Sequence, residues 1–194
     1  SRDQIYMGNI FPNWTGGFNL NLTYKGLSLY TRFEFATGHT IYNDLLARTL
    51  GNMQGTFNYF VENKQAWSPS NTNTDLPKIY YADQVAAPIG KKNYTRINNA
   101  SAFLNSNNSR MYEKGDYLAI REITLSYDLG KSILSHTRVL SKARLYLSAS
   151  NLHYFTKYTG NSPEAPIDGG TITGIDRGIY PMPRSFVLGM EVTF

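Results

Sequence analysis

The residues that most often catalyse reactions or bind metals are few and scattered in this 194-residue sequence. Its three histidines fall in different predicted segments and lack the His-x-x-x-His spacing of a zinc site: His39, His136 and His153. Three carboxylates could be imagined as acid–base pairs, although loop carboxylates are usually solvated: Asp83, Glu113 and Asp116. The chain has no cysteine, which excludes thiol catalysis and cysteine-ligated metals. We therefore predict no enzyme, no cofactor, no metal site and no catalytic residue.

Aromatic residues are far more abundant, with 15 Tyr, 10 Phe and 2 Trp. Several fall in one long polar segment: Trp67, Tyr80, Tyr81, Tyr94 and Phe103. Aromatic faces can stack on sugar rings or peptide side chains, while nearby Asn and Asp bond hydroxyl groups. The alternative is that these rings pack the small core of their own segment. Four of them are our candidate contacts for a substrate or partner: Trp67, Tyr80, Tyr81 and Tyr94.

The charge pattern argues against nucleic-acid binding. The net charge is +5, but the basic residues are scattered and the only adjacent pair is Lys91 and Lys92. Nucleic-acid binding normally needs a clustered basic face. No stretch approaches the roughly 20 apolar residues that a membrane-spanning helix needs. Many Tyr, Gly, Asn, Ser and Thr instead favour sheets with one wet face and one apolar face.

A period of two in the apolar residues is the main structural signal. Phe18, Leu20 and Leu22, for example, alternate with Asn19 and Asn21. The alternation predicts five antiparallel strands at about 16–25, 27–37, 117–129, 143–154 and 184–194. The third strand changes phase halfway, and a bulge near Arg121 and Glu122 would reconcile its halves, because one extra residue reverses the register.

Short and long connections alternate between these strands. Lys25 and Gly26 form a tight turn and 130–142 a modest link, whereas the segments at about 38–113 and 155–183 are long and polar. Transmembrane β-barrels have this asymmetry, with short periplasmic turns and long extracellular loops. Five strands cannot close a barrel, since known single-chain barrels have about eight or more. The pattern therefore predicts part of a larger barrel, and the alternative is a soluble extracellular β-sandwich binding module.

Ordered sequence blocks then resemble the C-terminal part of SusC/RagA-like TonB-dependent outer-membrane transporters of Bacteroidota. The strongest block is 109–112 (Ser-Arg-Met-Tyr) leading into 115–127, and 144–152 (Arg-Leu-Tyr-Leu-Ser-Ala-Ser-Asn-Leu) is nearly as close. Further blocks are 8–12 (Gly-Asn-Ile-Phe-Pro), 15–18, 24–26, Trp67 with Pro69, 75–77, 155–160, 163–164, 180–184 and Phe194. The chain departs from the family pattern at Ala119 and Glu122, and at 128–130, where the family has a Leu-Pro turn.

This resemblance implies that residues 1–194 form the last roughly five strands of a plugged outer-membrane barrel of about 22 strands. The plug and the earlier strands would lie outside this chain, and the long loops at about 38–113 and 155–183 would lie on the cell surface. The family imports oligosaccharides or peptides with a SusD-like surface lipoprotein and energy from the TonB complex. Phe194 would be the signal for barrel assembly. Polar strand residues would face the lumen and hold the plug or line the channel: Tyr30, Arg32, Glu34, Arg144 and Tyr146.

Overall fold

The computed structural model describes residues 5–51, 60–76, 109–130, 134, 139–164 and 174–194. They divide into two compact units, each made of three separate stretches of chain. The sheet unit comprises Phe11–His39, Gly115–Tyr158 and Tyr180–Phe194, and the loop unit comprises Ser1–Ile10, Thr40–Lys114 and Thr159–Ile179. Within the described residues, no helix has the length and hydrophobicity to cross a membrane.

The described residues contain eight strands. In order, they are β1 (Trp14–Tyr24), β2 (Leu27–Thr37), β3 (Thr40–Asn43), β4 (Tyr112–Lys114), β5 (Tyr117–Asp128), β6 (Lys142–Thr156), β7 (Ile175–Asp176) and β8 (Ser185–Thr193). The sheet unit holds the order β1-β2-β5-β6-β8, in which every neighbouring pair is antiparallel. This confirms the predicted all-β fold with five antiparallel strands. In an antiparallel meander the long β2–β5 and β6–β8 connections leave the sheet at the same end.

The β1–β2 turn shows how local sequence fixes the register. Lys25 and Gly26 both have positive φ, 47° and 86°. Two-residue turns with positive φ at both positions match the right-handed twist of the strands that they join. Glycine adopts this conformation without steric cost. The turn sets Tyr24 opposite Leu27 and Trp14 opposite Thr37.

The predicted bulge is present in β5. Its register against β6 shifts between Ile120 and Glu122, and its register against β2 shifts at Arg32 and Phe33. One extra residue on β5 keeps the apolar side chains of both halves on one face of the sheet. Ile120 accordingly lies opposite Phe33, and Ile123 lies opposite Thr31.

The apolar face of the five-stranded sheet is open to its surroundings. Phe18 is 52% exposed and Leu188 is 80% exposed, although both lie on that face. Other apolar residues of this face are also exposed: Leu20, Leu22, Tyr24, Leu27, Leu125, Tyr127, Leu145, Leu147, Phe155, Phe186, Met190 and Val192. A soluble β-sandwich would bury this face against a second sheet, so the exposure argues against that alternative.

The loop unit contains a small sheet of its own, in the order β4-β3-β7. β3 pairs antiparallel with β4 and parallel with β7, and its Ile41 is completely buried. The loop unit also contains short helical segments: α1 (Asp44–Leu46), a π-helical turn (Ala47–Gly51) and 3₁₀ turns at Val61–Gln65 and Ser109–Met111. The two long segments predicted as loops therefore contain short strands. β7 of the second segment pairs with β3 of the first.

Candidate functional site: the polar face of the sheet and the loop cleft

The second face of the five-stranded sheet is polar, as alternation predicts. Tyr30 lies opposite Thr124, Arg32 opposite Glu122, and Arg144 opposite both Asp128 and Glu191. Three basic and four acidic residues of the described strands point to this face by their register: Arg32, Lys142, Arg144, Glu34, Glu122, Asp128 and Glu191. Arg121, at the bulge, joins them through its hydrogen bond to Glu34. Charges of this density need water or another protein surface beside them, since lipid does not solvate them.

Arg121 joins several side chains of this face through hydrogen bonds and a cation–π contact. Its Nε donates to Glu34 Oε2 at 2.6 Å, and its Nη1 donates to the Tyr154 hydroxyl at 2.9 Å. The guanidinium also lies over the Tyr154 ring, 5.5 Å from the centroid, and Tyr117 packs edge-on against that ring at 5.7 Å. Only 9% of the Arg121 side chain is exposed. A charge held at this depth is stable because it is both paired and hydrogen-bonded.

Sequence reasoning identified Glu34 but gave no role to Arg121, which it placed only at the bulge. The bulge was itself the available signal, because an extra residue redirects a side chain away from the regular alternation. The other predicted lumen residues lie on the polar face as expected. Arg32 is within 3.6 Å of Glu34, and Arg144 donates to the Ser126 hydroxyl at 2.7 Å.

The loop unit contains a cleft of about 420 Å³. Among the described residues, six line it: Gln65, Thr72, Asn73, Thr74, Asp75 and Leu76. All of them except Leu76 are polar, and they follow or end the 3₁₀ turn at Val61–Gln65. Trp67 adjoins this segment, since its backbone N–H donates to the Leu76 carbonyl at 2.9 Å. The cleft therefore combines hydrogen-bonding side chains with a neighbouring aromatic residue.

A half-buried carboxylate organises another part of the loop unit. Glu113 Oε1 accepts from Asn43 Nδ2 at 3.0 Å and from the Thr159 hydroxyl at 2.8 Å, while its Oε2 accepts from the Thr159 backbone N–H at 2.9 Å. Asn43 Oδ1 in turn caps the Leu46 backbone N–H at 2.9 Å. Nearby on β4, burial raises the pKa of the Tyr112 phenol above its usual value. These bonds join segments that are distant in sequence, so the group fixes the local fold.

The predicted site residues fall in different places. Trp67 is 39% exposed beside the cleft, whereas Tyr80, Tyr81, Tyr94 and Phe103 lie outside the described residues. Phe194 follows β8 and is 79% exposed, with its carbonyl 3.5 Å from the Ser141 hydroxyl.

The histidines do not form a metal site within the part of the chain that the structure describes. His39 packs edge-on to Tyr117 and His153 packs edge-on to Phe155, while His136 lies outside that part. No group of three or more potential metal ligands occurs among the described residues.

Comparison with curated proteins gives a consistent set of relatives. TonB-dependent receptor P3 of Formosa agariphila is 32% identical over 99% of this chain and 17% of the receptor. TonB-dependent receptor P26 of the same organism is 27% identical over 99% of this chain and 18% of the receptor. The chain thus spans less than a fifth of the length of these relatives. It matches no model of a protein family.

Solved structures agree with the sequence comparison. The RagAB peptide transporter matches 93% of this chain and 17% of its own matched chain, with a TM-score of 0.69 and 28% identity. The RagAB peptide importer in its closed-closed state matches 95% of this chain and 18% of its own, with a TM-score of 0.69 and 27% identity. These proteins are receptors and transporters and not enzymes, which confirms the prediction that the chain is not an enzyme.

Proposed function

This chain is homologous to part of the SusC/RagA-like TonB-dependent receptors, and from that premise we propose that it forms the C-terminal strands of an outer-membrane nutrient importer. In this proposal the five-stranded sheet is a section of the barrel wall. Its apolar face contacts outer-membrane lipid, and its polar face contacts the lumen and the plug. The remaining strands and the plug belong to the same receptor.

One observation carries this proposal: the same sheet has an exposed apolar face and a charged opposite face. Leu188 and Phe186 on β8 are 80% and 69% exposed, whereas Arg121 and Glu34 on the other face form an ion pair. Exposing the apolar face to water is unfavourable, and exposing the charged face to lipid is unfavourable as well. A barrel wall satisfies both, because alternate residues of each strand point to lipid and to lumen.

The edges of the sheet support the same assignment. β1 and β8 are the outer strands of the described sheet and each pairs with one neighbour. In lipid, an unpaired backbone edge costs several kcal/mol for each group left unsatisfied. In the proposed barrel, β8 pairs with the first strand of the same barrel and β1 pairs with the strand that precedes it.

Orientation follows from the direction of the last strand. We assign the end of β8, with Phe194, to the periplasmic side and propose that Phe194 is the signal for barrel assembly. The segments at about 38–113 and 155–183 then lie on the cell surface. Protease added to intact cells should cut within these two segments. Cleavage confined to the Lys25–Gly26 turn would reverse the assignment.

The proposed cargo is an oligosaccharide or a peptide, and the proposed partners are a SusD-like surface lipoprotein and the TonB complex. The RagAB relative is a peptide importer, which supports uptake of a large nutrient. The polar face, which holds Arg32, Glu34 and Tyr146, would line the channel or hold the plug. Loop aromatics such as Trp67 would contact the substrate or the lipoprotein.

Membrane fractionation and uptake test the proposal. Cells that carry the receptor should retain it in the outer-membrane fraction until detergent is added, and they should lose uptake of its nutrient when TonB is removed. The soluble-sandwich alternative predicts release without detergent. A barrel enzyme would instead lose a measurable activity when a carboxylate or histidine is replaced.

A further inference from the structure

The apolar face of the five-stranded sheet carries basic residues at the end where the two long connections leave. His153 of β6 lies opposite Ile120 of β5, and Ile120 lies opposite Phe33 of β2, so His153 belongs to the apolar face. Lys157 follows directly after the last residue of β6 and four residues after His153. Both side chains are exposed, whereas the next residue, Tyr158, is buried. This alternation continues the apolar face beyond β6 and ends it with a positive charge.

Arg184 brings a second positive charge to the same end from the neighbouring strand. It is exposed, and it lies directly before β8, two residues before Phe186 of the apolar face. Asn151 Nδ2 donates to the Pro183 carbonyl at 3.4 Å, which holds the start of β8 beside β6 close to His153. Neighbouring strands of a sheet are only about 5 Å apart. The guanidinium of Arg184 and the imidazole of His153 can therefore contact one ligand.

Exposed aromatic side chains lie at the same end of the sheet. Phe155 lies between His153 and Lys157 on the apolar face, and its ring packs edge-on against the His153 ring at 4.7 Å. Trp14 begins β1 on this face, and Tyr180 precedes β8; both are exposed. Trp and Tyr concentrate at the level of lipid headgroups, because they combine an apolar ring with a polar N–H or O–H group. In the proposed barrel the three basic residues therefore lie at headgroup depth.

The carboxylates of the five strands lie on the opposite face of the sheet: Glu34, Glu122, Asp128 and Glu191. Asp116 is the carboxylate next to the Tyr117–Thr156 pair at this end, and its Oδ1 already accepts from the Gly38 N–H at 2.6 Å. The basic end of the apolar face is thus suited to an anion that comes from outside the chain. Guanidinium and ammonium groups bind phosphate oxygens through charge-assisted hydrogen bonds, and an imidazole N–H donates one more.

We propose that His153, Lys157 and Arg184 bind the phosphate group of an anionic lipid in the outer leaflet of the membrane. The three side chains donate to the phosphate oxygens, while the acyl chains lie along the apolar face beside Phe155 and Phe186. The inference rests on the proposed function for the membrane and for the orientation of the sheet. It adds a headgroup preference to the lipid contact of the barrel wall, and it fixes this end of the wall at the membrane surface.

Native mass spectrometry of the whole receptor, purified in detergent, tests this site. Dioleoyl phosphatidic acid and dioleoylglycerol form a matched pair of probes, since they share their acyl chains and differ in the phosphate. Monophosphoryl lipid A is the outer-leaflet probe, and inorganic phosphate is the probe without a lipid. We expect the two phosphorylated lipids to bind more tightly than dioleoylglycerol. Arg184→Gln and Lys157→Gln should each weaken their binding about fivefold, the contribution of a single basic residue near an anionic lipid surface.

Lys64→Gln is the matched control, because it removes one positive charge from an exposed residue of the loop unit. It should bind the lipids as the unaltered receptor does, and all variants should unfold at the same temperature in detergent without added lipid. Three results would each overturn the site: phosphatidic acid binds no better than dioleoylglycerol, binding is unchanged in both Arg184→Gln and Lys157→Gln, or inorganic phosphate displaces the lipids. Each of these results leaves detergent-dependent extraction and TonB-dependent uptake intact, and those two measurements test the proposed function separately.

Discussion

The ring of Tyr146 covers Gly189 across the β6–β8 pair. The two residues lie directly opposite each other, and a Cβ added to Gly189 would lie 2.3 Å from Tyr146 Cζ. Carbon atoms do not approach this closely, so the aromatic ring occupies the space that any other residue would need. An aromatic side chain over a glycine is a known device for compensating the missing side chain in a strand.

The first prediction concerns this contact. Gly189→Ala should destabilise the protein by about 1–3 kcal/mol, because the new methyl group forces Tyr146 out of its position. Gly130→Ala is the control, since a Cβ there meets no atom within 4 Å among the described residues. Thermal unfolding in detergent measures both. Equal stability of the two variants would show that Tyr146 moves aside without cost.

The second prediction separates the two faces of β8. Leu188→Arg places a charge on the apolar face near the middle of the strand, and at the midplane of a bilayer this should cost about 2–4 kcal/mol. Val187→Arg places the same charge on the polar face one residue away, where Val187 lies opposite Ser148, and should cost clearly less. Unfolding in lipid vesicles measures the difference. Equal costs would contradict the assignment of lipid and lumen faces.

The third prediction concerns the Glu34–Arg121 pair. Glu34→Ala should destabilise the sheet by about 1–3 kcal/mol, because it removes a charged hydrogen-bond partner from a largely buried guanidinium. Arg32→Ala should have a much smaller effect, since Arg32 is 46% exposed and 3.6 Å from Glu34. A double-mutant cycle of Glu34→Ala with Tyr154→Phe would measure whether these two partners of Arg121 are coupled. Additive effects would mean that they act independently.

The fourth prediction concerns Glu113. Glu113→Gln keeps the size of the side chain but turns one acceptor into a donor, which then faces donors on Asn43 or Thr159. We expect a loss of about 1–3 kcal/mol within the loop unit. Limited proteolysis should reveal faster cleavage in residues 40–51 and 159–164, with little change in the five-stranded sheet. Glu62→Gln serves as the exposed control, and an identical cleavage pattern in both variants would contradict the role of Glu113.

The amino-acid sequence determined the strands of the main sheet and the character of its two faces. Side chains alternate with a period of two residues in a strand, so Phe18, Leu20 and Leu22 had to share one face and Asn19 and Asn21 the other. The phase change at Arg121 and Glu122 was equally local, and it predicted the bulge. These features depend on neighbours in the chain, which is why the sequence alone was sufficient to predict them.

Only the tertiary structure decided which distant residues meet. Glu34 and Arg121 are 87 positions apart and Asn43 and Thr159 are 116 apart, and no periodicity in the sequence relates either pair. The small sheet of β3, β4 and β7 arises in the same way, since strands of two to four residues are too short to show an alternation of their own. Their backbone groups pair only because the fold brings the three segments together. The loop cleft likewise needs Leu76 bonded to Trp67 and Asp75 bonded to Arg110, and those contacts exist only in the folded chain.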